Sequence, residues 1–299
     1  MPDNRNLRGA LLMALAMAGF SLNDAMVRLV AAHMNTGQIM LLRGAMTTLI
    51  IGLFAWRMKP AFSPSMLRDR ALMLRTLCEA LAAIAYVHAL GLMPLSNAAS
   101  IMQALPLVVT MGAALFLGEK VGWRRWLAIS AGFCGVLVII RPGGNGFTVA
   151  SLIVIGSVLT AAARDLATKR IMPGAPTLLV SGAASVAVTV SGALLVEPMG
   201  GWRTPDVTDL AALGFGALML FTAYQTLIMA MRTGDISFIA PFRYTSLLWS
   251  ILLGVVFLGE RLDMWIIIGS GIVVAAGVYM FYRENRLRRL TAAASQPLS

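Results

Sequence analysis

Several ionisable side chains of this 299-residue chain lie inside long apolar segments. Insertion at membrane depth costs about 2.5–3.5 kcal/mol for each such group, so each requires a partner, water or a function. Asp24 lies on one helical stripe with Ser21 and Arg28, and Asp165 directly follows Arg164. These spacings predict internal ion pairs, and proton coupling at the carboxylates is the alternative.

Other charged groups differ in whether the local sequence offers a partner. Glu79 follows Arg75 by four residues, which favours an intrahelical ion pair over a gating role. Arg43 and Arg243 have no acid at helical spacing. They either pair across helices or present the guanidinium fork to a substrate carboxylate.

Aromatic and amide side chains accompany these charges. Pro241 precedes Arg243 and Tyr244, with Trp249 further along, and Pro106 follows Gln103. Each proline is expected to kink its helix and release a carbonyl group. Such a kink suits either a substrate cavity or a packing helix with a hydrogen-bonded tyrosine.

Polar residues also form stripes on otherwise apolar segments, which predicts a wet interior. His88 lies two residues after Tyr86, as a neutral packing residue or as a proton relay. The candidate substrate-binding residues are Arg43, Tyr86, His88, Gln103, Arg164, Tyr224, Arg243, Tyr244 and Trp249.

The composition requires that these residues be positioned by membrane-spanning helices. Apolar residues make up 59% of the chain, charged residues 12%, and the mean hydropathy is +0.80, which excludes an ordinary soluble domain. Ten apolar runs are long enough to cross a bilayer. We number these predicted spans 1 to 10: 9–31, 37–56, 76–93, 96–117, 123–140, 149–168, 176–196, 209–230, 236–257 and 264–282.

The basic residues predict the orientation of the chain. Most of the 24 lysines and arginines fall before span 1, after span 10 or in every second loop, whereas Arg141, Arg203 and Arg261 occupy the others. This bias places both termini in the cytoplasm. The net charge of +11 therefore indicates contact with anionic lipids, and nucleic acid is not an expected partner.

The second half of the chain repeats the first at an offset of 141 residues. Asp24 corresponds to Asp165, and the triplet Leu117–Glu119 corresponds to Leu258–Glu260. Since five spans per copy is an odd number, the copies insert in opposite directions, as in many secondary transporters. The expected units are 1–141 and 142–283, followed by a basic, disordered cytoplasmic tail over 284–299. Glu119 and Glu260 are expected to cap the helix that follows each, or to gate.

The repeated signature resembles a known family. Phe116–Lys120 with Trp126, and Phe257–Arg261 with Trp265, are similar to EamA-type members of the drug/metabolite transporter superfamily. Within it, the chain looks most like bacterial inner-membrane amino-acid and metabolite exporters, including the aromatic amino-acid branch, which implies a location in a bacterial-type inner membrane. The resemblance implies a central cavity walled by spans 1, 3, 4, 6, 8 and 9 and alternating access.

Broad export of aromatic and aliphatic amino acids is the expected function. Export of drugs or other small metabolites is the alternative, and phosphorylated substrates fit less well because the chain lacks clustered lysines and arginines within its spans. Neither a metal-ligand cluster nor a catalytic Ser/His/Asp arrangement is present in the sequence, which argues against an enzyme or a cofactor. The sequence shows no evident ring of selectivity groups, which argues against a channel. We expect the carrier to work as a monomer.

Overall fold

The part of the chain that the structure describes forms ten helical spans, as the hydropathy predicts. The computed structural model describes residues 4–58, 66, 68–118, 122–141, 147–172, 175–233 and 236–294, and all regular structure within them is helical. Large apolar side chains such as Leu49 and Leu194 project outward, where lipid would cover them. Spans 1 to 10 are Arg5–Val30, Thr36–Met58, Arg70–Leu92, Leu95–Phe116, Trp123–Ile140, Val149–Thr168, Thr177–Val196, Val207–Ala230, Ala240–Phe257 and Met264–Arg283.

Local sequence fixes several of the helix ends. Asp69 caps span 3 by accepting the Ala71 N–H at 2.8 Å, and it also accepts the Met172 N–H from the end of span 6. Both hydrogen bonds, and that from Met172 most strongly, lower the pKa of the Asp69 carboxyl group. At the carboxyl-terminal ends of spans 4 and 9, Gly118 and Gly259 adopt the left-handed conformation, with φ of +68° and +67°, and end the helices.

The packing of the spans has the symmetry of an inverted repeat. Span 1 packs on spans 8 and 9, and its repeat mate, span 6, packs on spans 3 and 4. Spans 2, 4 and 5 each pack on their own mates, spans 7, 9 and 10. The fold is therefore an all-α membrane architecture of two inverted five-helix repeats.

Repeat mates touch each other where spans 2 and 7 cross. Ser185 donates to the carbonyl of Gly44 at 3.3 Å, and the hydroxyls of Thr48 and Thr189 lie 3.4 Å apart; each pair is separated by 141 residues. A Cβ atom on Gly44 would lie 3.1 Å from the Cα of Thr189, so glycine is what allows this approach. These contacts lie at the pseudo-twofold axis of the repeat.

Spans 4 and 9 are both broken, at matching positions of the repeat. Span 4 consists of helices Leu95–Met102 and Leu105–Phe116, with Pro106 near the start of the second. Span 9 changes from the 3-10 turn Ala240–Tyr244, which contains Pro241, to the helix Thr245–Leu252 and the π turn Leu253–Phe257. The two prolines occupy different repeat positions, yet Gln103 and Ser246, beside the two interruptions, form a hydrogen bond with each other.

Glu260 does not cap the helix that follows it, as the sequence suggested, but one in the other repeat. Its carboxylate accepts the N–H groups of Leu95 and Ser96 at 2.5 and 3.1 Å, and the Ser96 hydroxyl at 2.7 Å. The four unpaired N–H groups of a helix start explain why a carboxylate binds there. Glu119, its repeat mate, lies outside the described residues.

The end of the chain also differs from expectation. The helix of span 10 continues from Met264 to Ala294, so residues 284–294 are helical where the sequence predicts disorder. The basic run after Arg283 contains no proline or glycine that would stop a helix begun in the membrane. Residues 295–299 lie outside the described part of the chain.

We expect Glu260→Ala to lower the free energy of unfolding by about 2 kcal/mol, because two N–H groups and a hydroxyl at the start of span 4 lose their acceptor. Thermal unfolding of the purified protein in detergent measures the loss. Glu197→Ala, at an exposed glutamate between spans 7 and 8, is the control. Equal losses in the two variants would show that the cap contributes nothing.

Candidate functional site

A group of four side chains links spans 1, 2 and 3, and we call it the Asp24 cluster: Asn23 and Arg43, which are buried, and Asp24 and Tyr86, which are half-buried. Arg43 Nη1 donates to Asn23 Oδ1 at 3.0 Å, and Asn23 Nδ2 donates to Asp24 Oδ1 at 2.9 Å. The Tyr86 hydroxyl donates to Asp24 Oδ2 at 3.1 Å. The amide of Asn23 therefore stands between a guanidinium and a carboxylate.

The ion pair that the sequence suggested for Asp24 is absent. Among the described residues, Arg28 forms no ion pair with Asp24, although the two are four residues apart. Asp24 is occupied by Asn23 and Tyr86, and its electrostatic partner is Arg43 of span 2. The charge that compensates Asp24 thus comes from across the helix interface.

A second group, the Glu79 cluster, joins spans 3 and 6: Arg75, Glu79, Arg164 and Asp165. Arg164 contacts Asp165 at 2.8 Å and Glu79 at 3.3 Å, and Arg75 lies 3.5 Å from the second oxygen of Glu79. The intrahelical Arg75–Glu79 pair is present as the spacing predicts. In this cluster, unlike the first, cations and anions touch directly.

The two clusters are related by the repeat. Asn23 and Asp24 correspond to Arg164 and Asp165. On span 3, Glu79 and Tyr86 are two helical turns apart, or about 10 Å along the axis. The clusters thus lie at different depths of one interior. With all their ionisable groups charged, the Glu79 cluster holds two arginines and two acids, and the Asp24 cluster holds one arginine and one acid, so each is neutral overall.

Aromatic rings lie beside both clusters. Tyr224 of span 8 packs edge-on against Phe20 of span 1, with ring centroids 5.1 Å apart. Phe20 is one helical turn from Asp24. Tyr224 lies within electrostatic range of Glu79, Arg164, Arg75 and Arg43. The pair combines a planar apolar surface with a hydroxyl between charges of both signs.

A chain of neutral hydrogen bonds connects the broken spans to span 1. Gln103 Nε2 donates to the Ser246 hydroxyl at 2.9 Å. The Ser21 hydroxyl donates to the Ser246 carbonyl and contacts the Ser250 hydroxyl, both at 3.1 Å. Gln103 therefore ties spans 4 and 9 together close to their interruptions.

Four predicted binding residues lie apart from the clusters. His88 contacts the Thr36 hydroxyl at 3.0 Å, and Trp249 donates to the Ala14 carbonyl at 3.2 Å. Tyr244 is buried against Gly277 and Phe281, and its hydroxyl has no partner among the described residues. Arg243 is exposed. Among the described residues, these four side chains therefore take no part in the hydrogen bonds and ion pairs of the two clusters, although Trp249 packs on the same apolar core group as Phe20.

The sequence interpretation did not include Asn23 of the Asp24 cluster or Phe20 of the aromatic pair among the candidate site residues. The repeat could have indicated Asn23, because the corresponding residue of the second repeat is the charged Arg164. Phe20 had no comparable signal, since one aromatic residue in an apolar span is ordinary packing. Among the described residues, no group of three or more His, Cys, Asp or Glu side chains could hold a metal ion.

The sequence model of the EamA-like transporter family matches this chain twice, over residues 7–141 and 148–283. A riboflavin transporter of Rhizobium johnstonii is 28% identical over 73% of this chain and 72% of its own length. An S-adenosylmethionine uptake transporter of Rickettsia prowazekii is 25% identical over 94% of both chains. A pseudopaline exporter of Pseudomonas aeruginosa is 27% identical over 54% of this chain and 57% of its own.

The fold also matches a solved crystal structure. The TM-score is 0.67 at 18% sequence identity, over 93% of this chain and 98% of the other. At that identity the match shows a shared fold and nothing about the substrate.

We expect Glu79→Gln to lower the free energy of unfolding by about 3 kcal/mol, since Arg75 and Arg164 would lose their shared carboxylate. Neutralising Arg164 as well, in Glu79→Gln/Arg164→Gln, should recover part of the loss. Equilibrium unfolding in detergent and denaturant measures both, with Glu197→Gln as the exposed control. A single variant as stable as the control would contradict a stabilising role for the cluster.

Proposed function

The chain belongs to the EamA-like transporter family, and on that premise we propose that it carries small metabolites that combine a planar nitrogen heterocycle with a polar or charged chain. The observation that carries the proposal is the Phe20–Tyr224 pair, one helical turn from Asp24 and within range of the Glu79 cluster. Rings of this kind stack on a heterocycle, and the charged side chains suit its polar substituents.

The named substrates of the relatives fit this chemistry better than free amino acids do. Riboflavin and S-adenosylmethionine each join a nitrogen heterocycle to a polar chain, and the names are those of transporters 28% and 25% identical to this chain. The expected export of amino acids has no support among these names. We therefore favour the small-metabolite alternative.

The direction of transport does not follow from the family. The relatives include both an uptake transporter and an exporter. We propose a gradient-driven carrier in which the two repeats alternate access to the shared interior. A bacterial inner membrane, cytoplasmic termini and a working monomer remain part of this proposal, supported by the distribution of basic residues and by an interior built within one chain.

Uptake into liposomes tests the proposed function. The purified protein is reconstituted, and the entry of radiolabelled riboflavin, S-adenosylmethionine and a panel of amino acids is measured with and without a pH gradient. We expect saturable entry of at least one heterocyclic compound. Saturable entry of amino acids alone would restore the amino-acid interpretation and contradict the proposal.

Substitution of Tyr224 separates its ring from its hydroxyl. We expect Tyr224→Ala to raise the half-saturating concentration of the transported heterocycle about tenfold, because a stacking surface is lost. Tyr224→Phe should retain most of the affinity. Tyr279→Ala, at an exposed tyrosine of span 10, is the control for removing a tyrosine ring. Equal values for Tyr224→Ala and wild type would remove the ring from the substrate site.

A further inference from the structure

The Asp24 cluster is the strongest candidate for the polar end of the substrate site. We propose that it binds a zwitterionic α-amino-acid head group, with the substrate carboxylate on Arg43 and the substrate ammonium on Asp24. This inference rests on the proposed function, and it names the head group that the heterocyclic substrate carries.

The two charges of this cluster are close but not in contact. Arg43 donates to the neutral amide of Asn23, and Asp24 accepts from that amide and from the Tyr86 hydroxyl. In the part of the chain that the structure describes, no carboxylate lies within 4.0 Å of the Arg43 guanidinium and no cation lies within that distance of Asp24. Arg43 is 8% exposed and Asn23 is 2% exposed, so water solvates them little, whereas Asp24 and Tyr86 are half-buried.

The repeat supplies an internal comparison. In the Glu79 cluster, Arg164 contacts Asp165 and Glu79 directly. In the first repeat, Asn23 occupies the position of Arg164, and the guanidinium comes instead from Arg43 on span 2. One cluster is therefore a closed set of ion pairs, whereas the other holds its cation and anion apart by the length of an amide.

This spacing matches a ligand that carries both charges. A guanidinium has five N–H donors, and a carboxylate that binds two of them side by side forms a stronger contact than a neutral amide. A ligand with a single charge would leave either Arg43 or Asp24 without an opposite charge to contact at low solvent exposure, which is unfavourable. A zwitterion pairs both side chains and adds no net charge to the membrane interior.

The ring of such a substrate has a surface beside the head group. Phe20 lies one turn before Asp24 on span 1, and it contacts Tyr224. A heterocycle against these rings would place its attached amino-acid chain toward Asn23 and Arg43. The head-group site and the aromatic pair thus lie one helical turn apart on span 1.

Two probes with the same ring distinguish the head group from the rest of the substrate. S-adenosylhomocysteine carries on its sulfur atom a chain that ends in the zwitterionic head group. In 5′-methylthioadenosine a methyl group replaces that whole chain. Entry of each radiolabelled probe into liposomes is measured for wild type, Asn23→Asp and Arg43→Gln. Asn23→Asp places a carboxylate beside Arg43 and closes the ion pair, as in the Glu79 cluster.

We expect both variants to lower entry of S-adenosylhomocysteine at least about tenfold, and entry of 5′-methylthioadenosine less than about twofold, since only the former loses a charge-assisted contact. Arg28→Gln makes the same change as Arg43→Gln at a half-buried arginine of span 1 and should alter neither. If wild type moves S-adenosylhomocysteine alone, folded Asn23→Asp must abolish that entry.

A purely structural role for Arg43 predicts a different pattern. The double variant Asp24→Asn/Arg43→Gln would then regain entry of both probes, because the two opposite charges are removed together. The inference is overturned by that recovery, by equal losses for the two probes, or by a wild type that moves only 5′-methylthioadenosine; the last result leaves the proposed function standing. Entry of neither probe and of no other heterocycle overturns both.

Discussion

The exclusion of unpaired charge from the membrane interior is the constraint on which this structure depends. Each ionised side chain at that depth costs about 2.5–3.5 kcal/mol unless it finds a partner or water. Asp24, Arg43, Glu79 and Arg164 meet this constraint by facing one another across spans 1, 2, 3 and 6. Their positions help to set which face of each span turns inward, because charged groups are the most costly to expose to lipid.

The inverted repeat supplies a symmetric scaffold, but its chemistry is asymmetric. The glycine and hydroxyl contacts between spans 2 and 7, and the interruptions of spans 4 and 9, recur at matching positions. The exchange of Arg164 for Asn23 breaks that equivalence inside the site. A scaffold with two equivalent arrangements suits alternating access. Because the two clusters differ, one can stabilise the fold while the other is available to bind substrate.

The sequence predicted the parts of this molecule that depend on local or periodic information. Span lengths follow from hydropathy, the repeat from its constant offset, and the Arg75–Glu79 pair from helical spacing. It did not predict contacts between distant spans, such as Glu260 with Ser96 or Tyr86 with Asp24. For a related reason it did not predict the contacts of Tyr244 and Trp249, which involve neither cluster: an apolar span gives no sign of which face turns toward a cavity.

Counterflow is the measurement that tests the central claim most directly, because only a carrier that alternates between two sides produces it. Liposomes containing the protein are loaded with unlabelled S-adenosylmethionine and diluted into a trace of the labelled compound. The account predicts a transient accumulation of label above its equilibrium level, which vanishes without internal substrate. Entry that rises linearly with concentration and never overshoots, from folded and inserted protein, would contradict the account of a carrier for this class of metabolite.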